Sequence, residues 1–169
     1  NSKISIGIAR AGNVIGGGDW SDYRLLPDCI RAWTKQKSVI IRNPNSTRPW
    51  QHVLDVLNGY ICLAVKLSFN RKLHGEAFNF GPTQSKNLKV LDILKISKSI
   101  WSEIKWSVQS KKIFFENNLL QLNSNKAKKI LKWKCMLTSK ESINMTIDWY
   151  KKYYLKKNVL KLSQEQIKY

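Results

Sequence analysis

The sequence predicts an α/β fold, and three observations carry that expectation. Short runs of strand character at residues 3–9, Val39-Ile40-Ile41 and Ala77–Phe80 alternate with longer stretches whose apolar residues recur at helical spacing. The runs end on turn punctuation: the first leads to Gly16-Gly17-Gly18 and the last closes on Gly81-Pro82. Hydrophobic residues make up 43% of the 169, enough to build a core and to exclude a disordered chain.

Element by element, Ile4, Ile6 and Ile8 alternate with Lys3, Ser5 and Gly7, which predicts a strand over 3–9. Leu25, Leu26, Cys29, Ile30 and Trp33 predict a helix, with Pro27 tolerated in its first turn. Val39–Ile41 is a short β-branched strand. Asp55 stands where a cap belongs, ahead of a helix with Val56, Tyr60, Leu63, Ala64 and Leu67 on one face. Val90, Ile93, Leu94, Ser97, Ile100 and Trp101 describe another amphipathic helix. A short helix follows Ser124 (Ala127, Ile130, Leu131). Thr138-x-x-Glu141 is a capping box before a long helix with Ile143, Ile147, Tyr150 and Tyr154 on one face. The Lys-rich tail from Lys151 to Lys161 is expected to fray. The elements make an α/β or α+β piece and not a self-contained doubly wound sheet.

The net charge of +19 invites a nucleic-acid reading, but its distribution opposes one. Residues 1–84 hold 11 bases against 5 acids, and residues 85–169 hold 19 against 6. All six arginines fall between Arg10 and Arg71, whereas the later bases are lysines spread over helix faces. No recognition motif accompanies the charge, so no specific nucleic acid is expected. Cys29, Cys62 and Cys135 show neither metal spacing nor a disulfide framework, which suits a reducing cytoplasm. No run approaches 18 consecutive apolar residues, so no membrane span is expected, and no metal site either.

The chemistry concentrates in two runs, Arg10-Ala11-Gly12-Asn13-Val14-Ile15-Gly16-Gly17-Gly18-Asp19-Trp20 and Arg42-Asn43-Pro44 to Arg48-Pro49-Trp50-Gln51-His52-Val53. Glycine lets backbone approach a ligand closely, and planar guanidinium grips phosphate oxygens two at a time. The pair reads as two walls of a site for a phosphorylated small molecule. The Asn13 amide can donate to a phosphate or sugar oxygen, or support its own turn. The three glycines serve either a ligand or mere turn geometry. Arg42 and Asn43 can hydrogen-bond a base or ribose, and Asn79, between two phenylalanines, takes either a ligand or a backbone partner. Trp50 and Val53 read as core, and His52 and His74 as structural, since neither joins a catalytic or metal-ligand constellation.

These strings resemble the C-terminal half of the CDP-glucose 4,6-dehydratases, extended short-chain dehydrogenase/reductases acting on nucleotide sugars. The resemblance continues through Arg24-Leu25-Leu26-Pro27-Asp28-Cys29-Ile30, Ala77–Pro82 and the Trp149-Tyr150 helix, and holds only in outline from Lys86 to Leu120. It implies the last Rossmann strands plus a small α/β substrate-binding domain, residues 1–169, with the NAD-binding half absent. The Gly-rich dinucleotide fingerprint of the family is not found, and its Tyr-x-x-x-Lys spacing occurs only at Tyr153 to Lys157, in a basic C-terminal helix and not ahead of the Arg10 strand, so the chain reads as a fragment. In the family, NAD takes hydride from C4, water leaves across C5–C6, and hydride returns to C6, giving a 4-keto-6-deoxy sugar.

By the resemblance, Arg48 pairs with the nucleotide pyrophosphate, since Arg48, Trp50, Val53 and Asp55 match an Arg-x-Trp-x-x-Val-x-Asp pattern. Arg24 reaches the phosphates or forms a surface ion pair; Val39 and Ile41 pack on the base or are simply buried strand. Ala11, Gly12 and Asn13 line the floor where nicotinamide and sugar meet. Substrate contacts are thus expected at Asn13, Arg24, Val39, Ile41, Arg42, Arg48 and Asn79, and catalytic residues at none. NAD serves the parent enzyme, a homo-oligomer, but is not expected to bind this chain tightly. Glu116 falls where the family has a His-Glu segment near the substrate phosphates, but here Phe114 and Phe115 stand in front of it with no histidine. Three other readings stay open: a sugar-nucleotide epimerase fragment, a noncatalytic anion-binding module, and a polyanion binder driven by charge.

Overall fold

A computed structural model describes residues 4–82, 88–109 and 122–168. Its order is β1 (Ile8–Ala11), β2 (Asn13–Ile15), α1 (Leu25–Trp33), β3 (Val39–Ile41), β4 (Thr47–Arg48), β5 (Trp50–His52) and α2 (Val53–Phe69). β6 (Ala77–Phe80), β7 (Leu88–Lys89), α3 (Val90–Ile100), β8 (Trp106–Val108), α4 (Ser139–Tyr154) and α5 (Val159–Lys168) complete it. The strands join in pairs. β1 runs parallel to β6, β2 to β5 and β3 to β8, while β4 and β7 are antiparallel.

The expected first strand is cut short at its start. Pairing begins at Ile8, opposite Ala77, and among the described residues those before Ile8 belong to no strand. The Ile6 amide instead donates to His74 Nδ1 at 3.2 Å, and the Ile6 carbonyl accepts from Gly75. Ile4 and Ile6 are exposed, as is Ile8 at the start of β1, so the alternation marks no buried face here. The expected helix over Leu25–Trp33 forms and buries Leu26, Cys29, Ile30 and Trp33. Burial, with a smaller push from the Asp28 charge, raises the Cys29 thiol to about 12, so it stays protonated.

Asp55 does not cap α2. His52 does, its Nδ1 accepting from the Leu54 amide at 3.3 Å. Asp55, buried in the first turn, instead accepts from the Met136 amide at 2.8 Å and the Leu137 amide at 3.1 Å. The Trp133 indole donates to the Asp55 carbonyl at 3.1 Å, so one residue clasps the 133–137 segment to α2. The buried face of α2 also differs from expectation: Val56, Gly59 and Leu63 face inward, while Tyr60 and Ala64 are exposed.

Two cores result. One gathers Leu26, Cys29, Ile30 and Trp33 of α1, Ile93 and Leu94 of α3, and Ile143, Ile147 and Tyr150 of α4. The other gathers Leu63, Leu73, Phe78, Phe80, Ala127, Leu131 and Trp133. The capping box forms as expected: Thr138 Oγ1 accepts from the Glu141 amide at 3.2 Å, and Glu141 Oε2 from the Thr138 amide at 2.8 Å. Those Thr138 bonds, backbone first, lower the Glu141 pKa. The lysine-rich tail does not fray. It turns at Lys156 (φ 54°) into α5, which packs back on α4 through Trp149 Nε1 donating to Ser163 Oγ at 2.9 Å. The short helix after Ser124 is a π-helical turn, Ala127–Leu131.

Candidate functional site

β1 and β2 are one chain direction interrupted at Gly12, and there the chain changes partner. Ala11 still stands opposite Phe80 of β6, whereas Asn13 stands opposite Trp50 of β5. Parallel strands that part company in this way open a crevice beyond their carboxyl ends. The crevice here is a cavity of about 960 Å³.

The expected substrate residues converge on it, with one exception. Asn13 lines the floor; Arg24, Arg42 and Arg48 contribute the cationic wall; Val39 and Ile41 contribute the apolar one. Asn79 is not among the lining residues. Its amide nitrogen faces the Asn123 carbonyl at 3.4 Å, the backbone partner foreseen as its alternative, and β6 lies on the far side of the partner change. Of the three residues expected to face a cofactor, Gly12 and Asn13 line the cavity and Ala11 does not.

The fit to a dinucleotide is poor. A Cβ on Gly12 would meet Pro49 Cγ at 2.9 Å and Leu122 Cδ1 at 3.0 Å, so protein atoms fill the space that its missing side chain leaves. The glycines that follow are likewise occupied: a Cβ on Gly17 would overlap the Trp149 ring at 2.1 Å. Of the three glycines, Gly17 makes room for Trp149 of α4, Gly16 makes room for Val53 of α2, and Gly18 turns at φ 81°. Among the described residues nothing offers the Gly-rich helix entrance that a dinucleotide pyrophosphate needs.

Electrostatics sorts the arginines. Arg24 precedes α1 without capping it and pairs with Asp19 at 3.2 Å, the surface ion pair foreseen as its alternative role, while still lining the cavity. Burial works against the Asp19 charge, but the Ser21 amide and hydroxyl and the Arg24 guanidinium hold its pKa below the ordinary value. Arg31 does not line the cavity; it spans Asp22 and Asp28, of which Asp28 does. Arg48 Nη1 donates to the Thr47 carbonyl at 2.9 Å, keeping the guanidinium on the wall formed by β4. The Tyr150 hydroxyl donates to the Asp19 carbonyl at 2.5 Å; burial first, then the Asp19 charge, push its pKa to about 12.

Sequence reasoning missed several lining residues, among them Tyr23, Ser46 and Val90. Tyr23 is 98% exposed with φ 61° and stands at the rim. Trp50, assigned to the core, is buried and lines the cavity as well. The signal for Ser46 and Trp50 is their two-residue offset from Arg48 on an extended run. His52 and His74 are structural, as expected: one caps α2 and the other holds the Ile6 amide. Glu116 and the segment with Phe114 and Phe115 lie outside the described residues. Among the described residues no three His, Cys, Asp or Glu come together as metal ligands, and no helix is long and apolar enough to cross a membrane.

No family model matches the chain. Over 165 residues it is 35% identical to CDP-glucose 4,6-dehydratase of Salmonella typhimurium, a match taking in 97% of this chain and 46% of that protein. UDP-glucose 4-epimerase of Mycoplasma genitalium is 25% identical over 169 residues, 91% of this chain and 49% of its own length. The chain thus spans about half the length of the curated relatives it matches. Among solved structures, UDP-glucuronic acid 4-epimerase from Bacillus cereus, in complex with UDP-glucuronic acid and NAD, superposes with a TM-score of 0.74 at 20% identity, covering 89% of this chain and 46% of that one. The dTDP-glucose 4,6-dehydratase from Bacillus anthracis, in complex with NAD, gives 0.65 at 18% identity, covering 86% and 44%. The resemblance drawn from the Arg10 and Arg42 runs is borne out: the chain is similar to the C-terminal half of CDP-glucose 4,6-dehydratase. Its fold is the corresponding α/β part of an extended short-chain dehydrogenase/reductase.

Proposed function

We propose that this chain forms the substrate side of a nucleotide-sugar dehydratase and that its cavity takes CDP-glucose. The observation that carries this reading is the convergence of Asn13, Arg24, Val39, Ile41, Arg42 and Arg48 on one cavity at the strand switch. The cavity suits a nucleoside diphosphate sugar chemically. Guanidinium at Arg48 and Arg24 serves the diphosphate, apolar Val39 and Ile41 the flat base, and the Asn13 amide a sugar oxygen. The parent reaction is NAD-dependent conversion of CDP-glucose to CDP-4-keto-6-deoxyglucose in the cytoplasm, by a homo-oligomer. NAD would supply hydride transfer there, held mainly by residues other than those described here. Gly12 and Asn13 would form only the edge of its pocket, so the 169-residue chain alone is inactive and does not retain NAD.

Titration calorimetry tests this. CDP-glucose should bind the chain, UDP-glucose more weakly, and Arg48→Ala should abolish measurable binding, because truncating one partner of a buried charge pair costs roughly 2–5 kcal/mol. Equal CDP-glucose affinity in wild type and Arg48→Ala would sink the assignment. Preference for UDP-glucose would favour the epimerase reading.

A further inference from the structure

The run from Ser46 to Trp50 presents every second residue to the cavity: Ser46, Arg48 and Trp50 line it, while Thr47 and Pro49 do not. That is the two-residue period of an extended chain. Arg48 belongs to the function proposed above. The residues on either side of it carry a separate observation. Ser46 is 4% exposed and Trp50 5%, and neither Ser46 Oγ nor Trp50 Nε1 has a hydrogen-bond partner among the described residues.

Their backbones, by contrast, are held on all sides. The Ser46 amide faces the Asn43 carbonyl at 3.3 Å, and its carbonyl accepts from Val90 at 3.0 Å, pinning the loop to the first turn of α3. Trp50 is paired with Asn13 across β2 and β5, and its carbonyl accepts from Ser139 Oγ at 3.2 Å. Buried polar atoms are nearly always paired, and each one left alone weakens the fold. Two of them in one cavity wall, flanking a guanidinium, mark places where stability alone would select alanine and phenylalanine. The indole N–H can only donate, and a serine hydroxyl can donate as well. The indole therefore calls for an acceptor atom, and the acceptors of a nucleotide sugar outside its base ring are oxygens.

We infer that Ser46 and Trp50 are two further ligand-binding residues of this site, each donating a hydrogen bond to an oxygen of the bound nucleotide sugar on either side of the group held by Arg48. The inference rests on the nucleotide-sugar reading. Four residues of extended chain span about 13 Å, the scale of a diphosphate with a sugar ring at each end. Both atoms are closed to solvent in this conformation. A χ1 step at Ser46 and a rotation of the Trp50 ring bring them to the cavity surface on binding.

The test titrates CDP-glucose into the full chain as wild type, Ser46→Ala, Trp50→Phe and Arg48→Ala, with a urea unfolding curve for each. Ser46→Ala and Trp50→Phe should each bind roughly fivefold more weakly. Their unfolding midpoints should hold or rise, since each substitution removes an unpaired buried atom. Wild-type affinity in both variants overturns the inference and leaves the Arg48 assignment standing. Weaker binding accompanied by a lowered midpoint also overturns it, because a structural role would do the same. Wild-type chain that ignores CDP-glucose overturns the nucleotide-sugar reading and this inference together.

Discussion

The two cores meet different circumstances. Around the cavity, α1, α3 and α4 enclose Ile30, Ile93, Leu94, Ile143 and Tyr150 completely. On the strand side, α2 buries Val56, Gly59 and Leu63 but turns Leu57, Ile61, Val65 and Phe69 outward, with Phe69 86% exposed. Ile4, Ile6 and Ile8 are exposed on the same side of the chain order, ahead of β1 and at its start. A parallel pair such as β1–β6 normally has both faces covered, and the described residues cover one. The wall that shapes the cavity is thus locally complete, while the strand side carries a second apolar stripe that the described residues leave exposed.

The sharpest way to break this contrast is to cut into both regions equally. Leu94→Ala removes a fully buried side chain of the cavity core and should cost about 2–5 kcal/mol in urea unfolding. If it costs less than 1 kcal/mol by the same measure, the cavity side is not the ordered one. Next in size is the clasp that holds the 133–137 segment to α2 on the strand side. Asp55→Ala strands the Met136 and Leu137 amides and should cost about 2–3 kcal/mol, with Asp55→Asn recovering part of the loss. An unchanged urea midpoint in Asp55→Ala would refute the clasp.

A smaller effect comes from His52. Burial lowers its pKa, with Asp55 opposing, so the folded chain holds it neutral below the ordinary value of about 6.5. The unfolded chain then binds the proton more readily. The stability due to His52 is present above about pH 6.5 and is lost as pH falls towards the folded value. His52→Asn can still accept from the Leu54 amide but does not titrate, so its unfolding midpoint should fall less between pH 7 and 5. Parallel profiles would refute the assignment. The smallest effect is expected at Ile61→Lys, within about 0.5 kcal/mol, because the residue already faces solvent. A large loss there would mean that the α2 stripe is covered in solution, and a concentration series by light scattering would then identify a second copy as the cover.

This two-sided helix also explains what was legible in the sequence. α1, α3 and α4 were readable because each has a single apolar face, and α4 announces its start with Thr138 and Glu141. α2 is apolar nearly all round, so periodicity could not tell the buried stripe from the exposed one. Its inward residue Gly59 has no hydrophobic signal at all, yet a Cβ there would meet the Phe80 ring at 2.4 Å. The role of Asp55 was unreadable for a different reason: its partners stand 81 and 82 residues away. The six cavity residues were found through runs whose residue types suit phosphate and sugar. Ser46 escaped because serine in a turn has a local explanation, and Asn79 was misplaced because an amide between phenylalanines does not say which way its strand faces.

The bond from the Tyr150 hydroxyl to the Asp19 carbonyl joins residues 131 positions apart and seats the aromatic end of α4 against the loop after β2. During synthesis at about 5–20 residues per second, that loop waits on the order of ten seconds before its partner leaves the ribosome. The cavity wall is therefore finished late, by the arrival of α4, whatever order the strands adopt. The Trp20 ring gains its contacts with Tyr150 and Tyr153, both at 5.3 Å between ring centroids, only with that arrival.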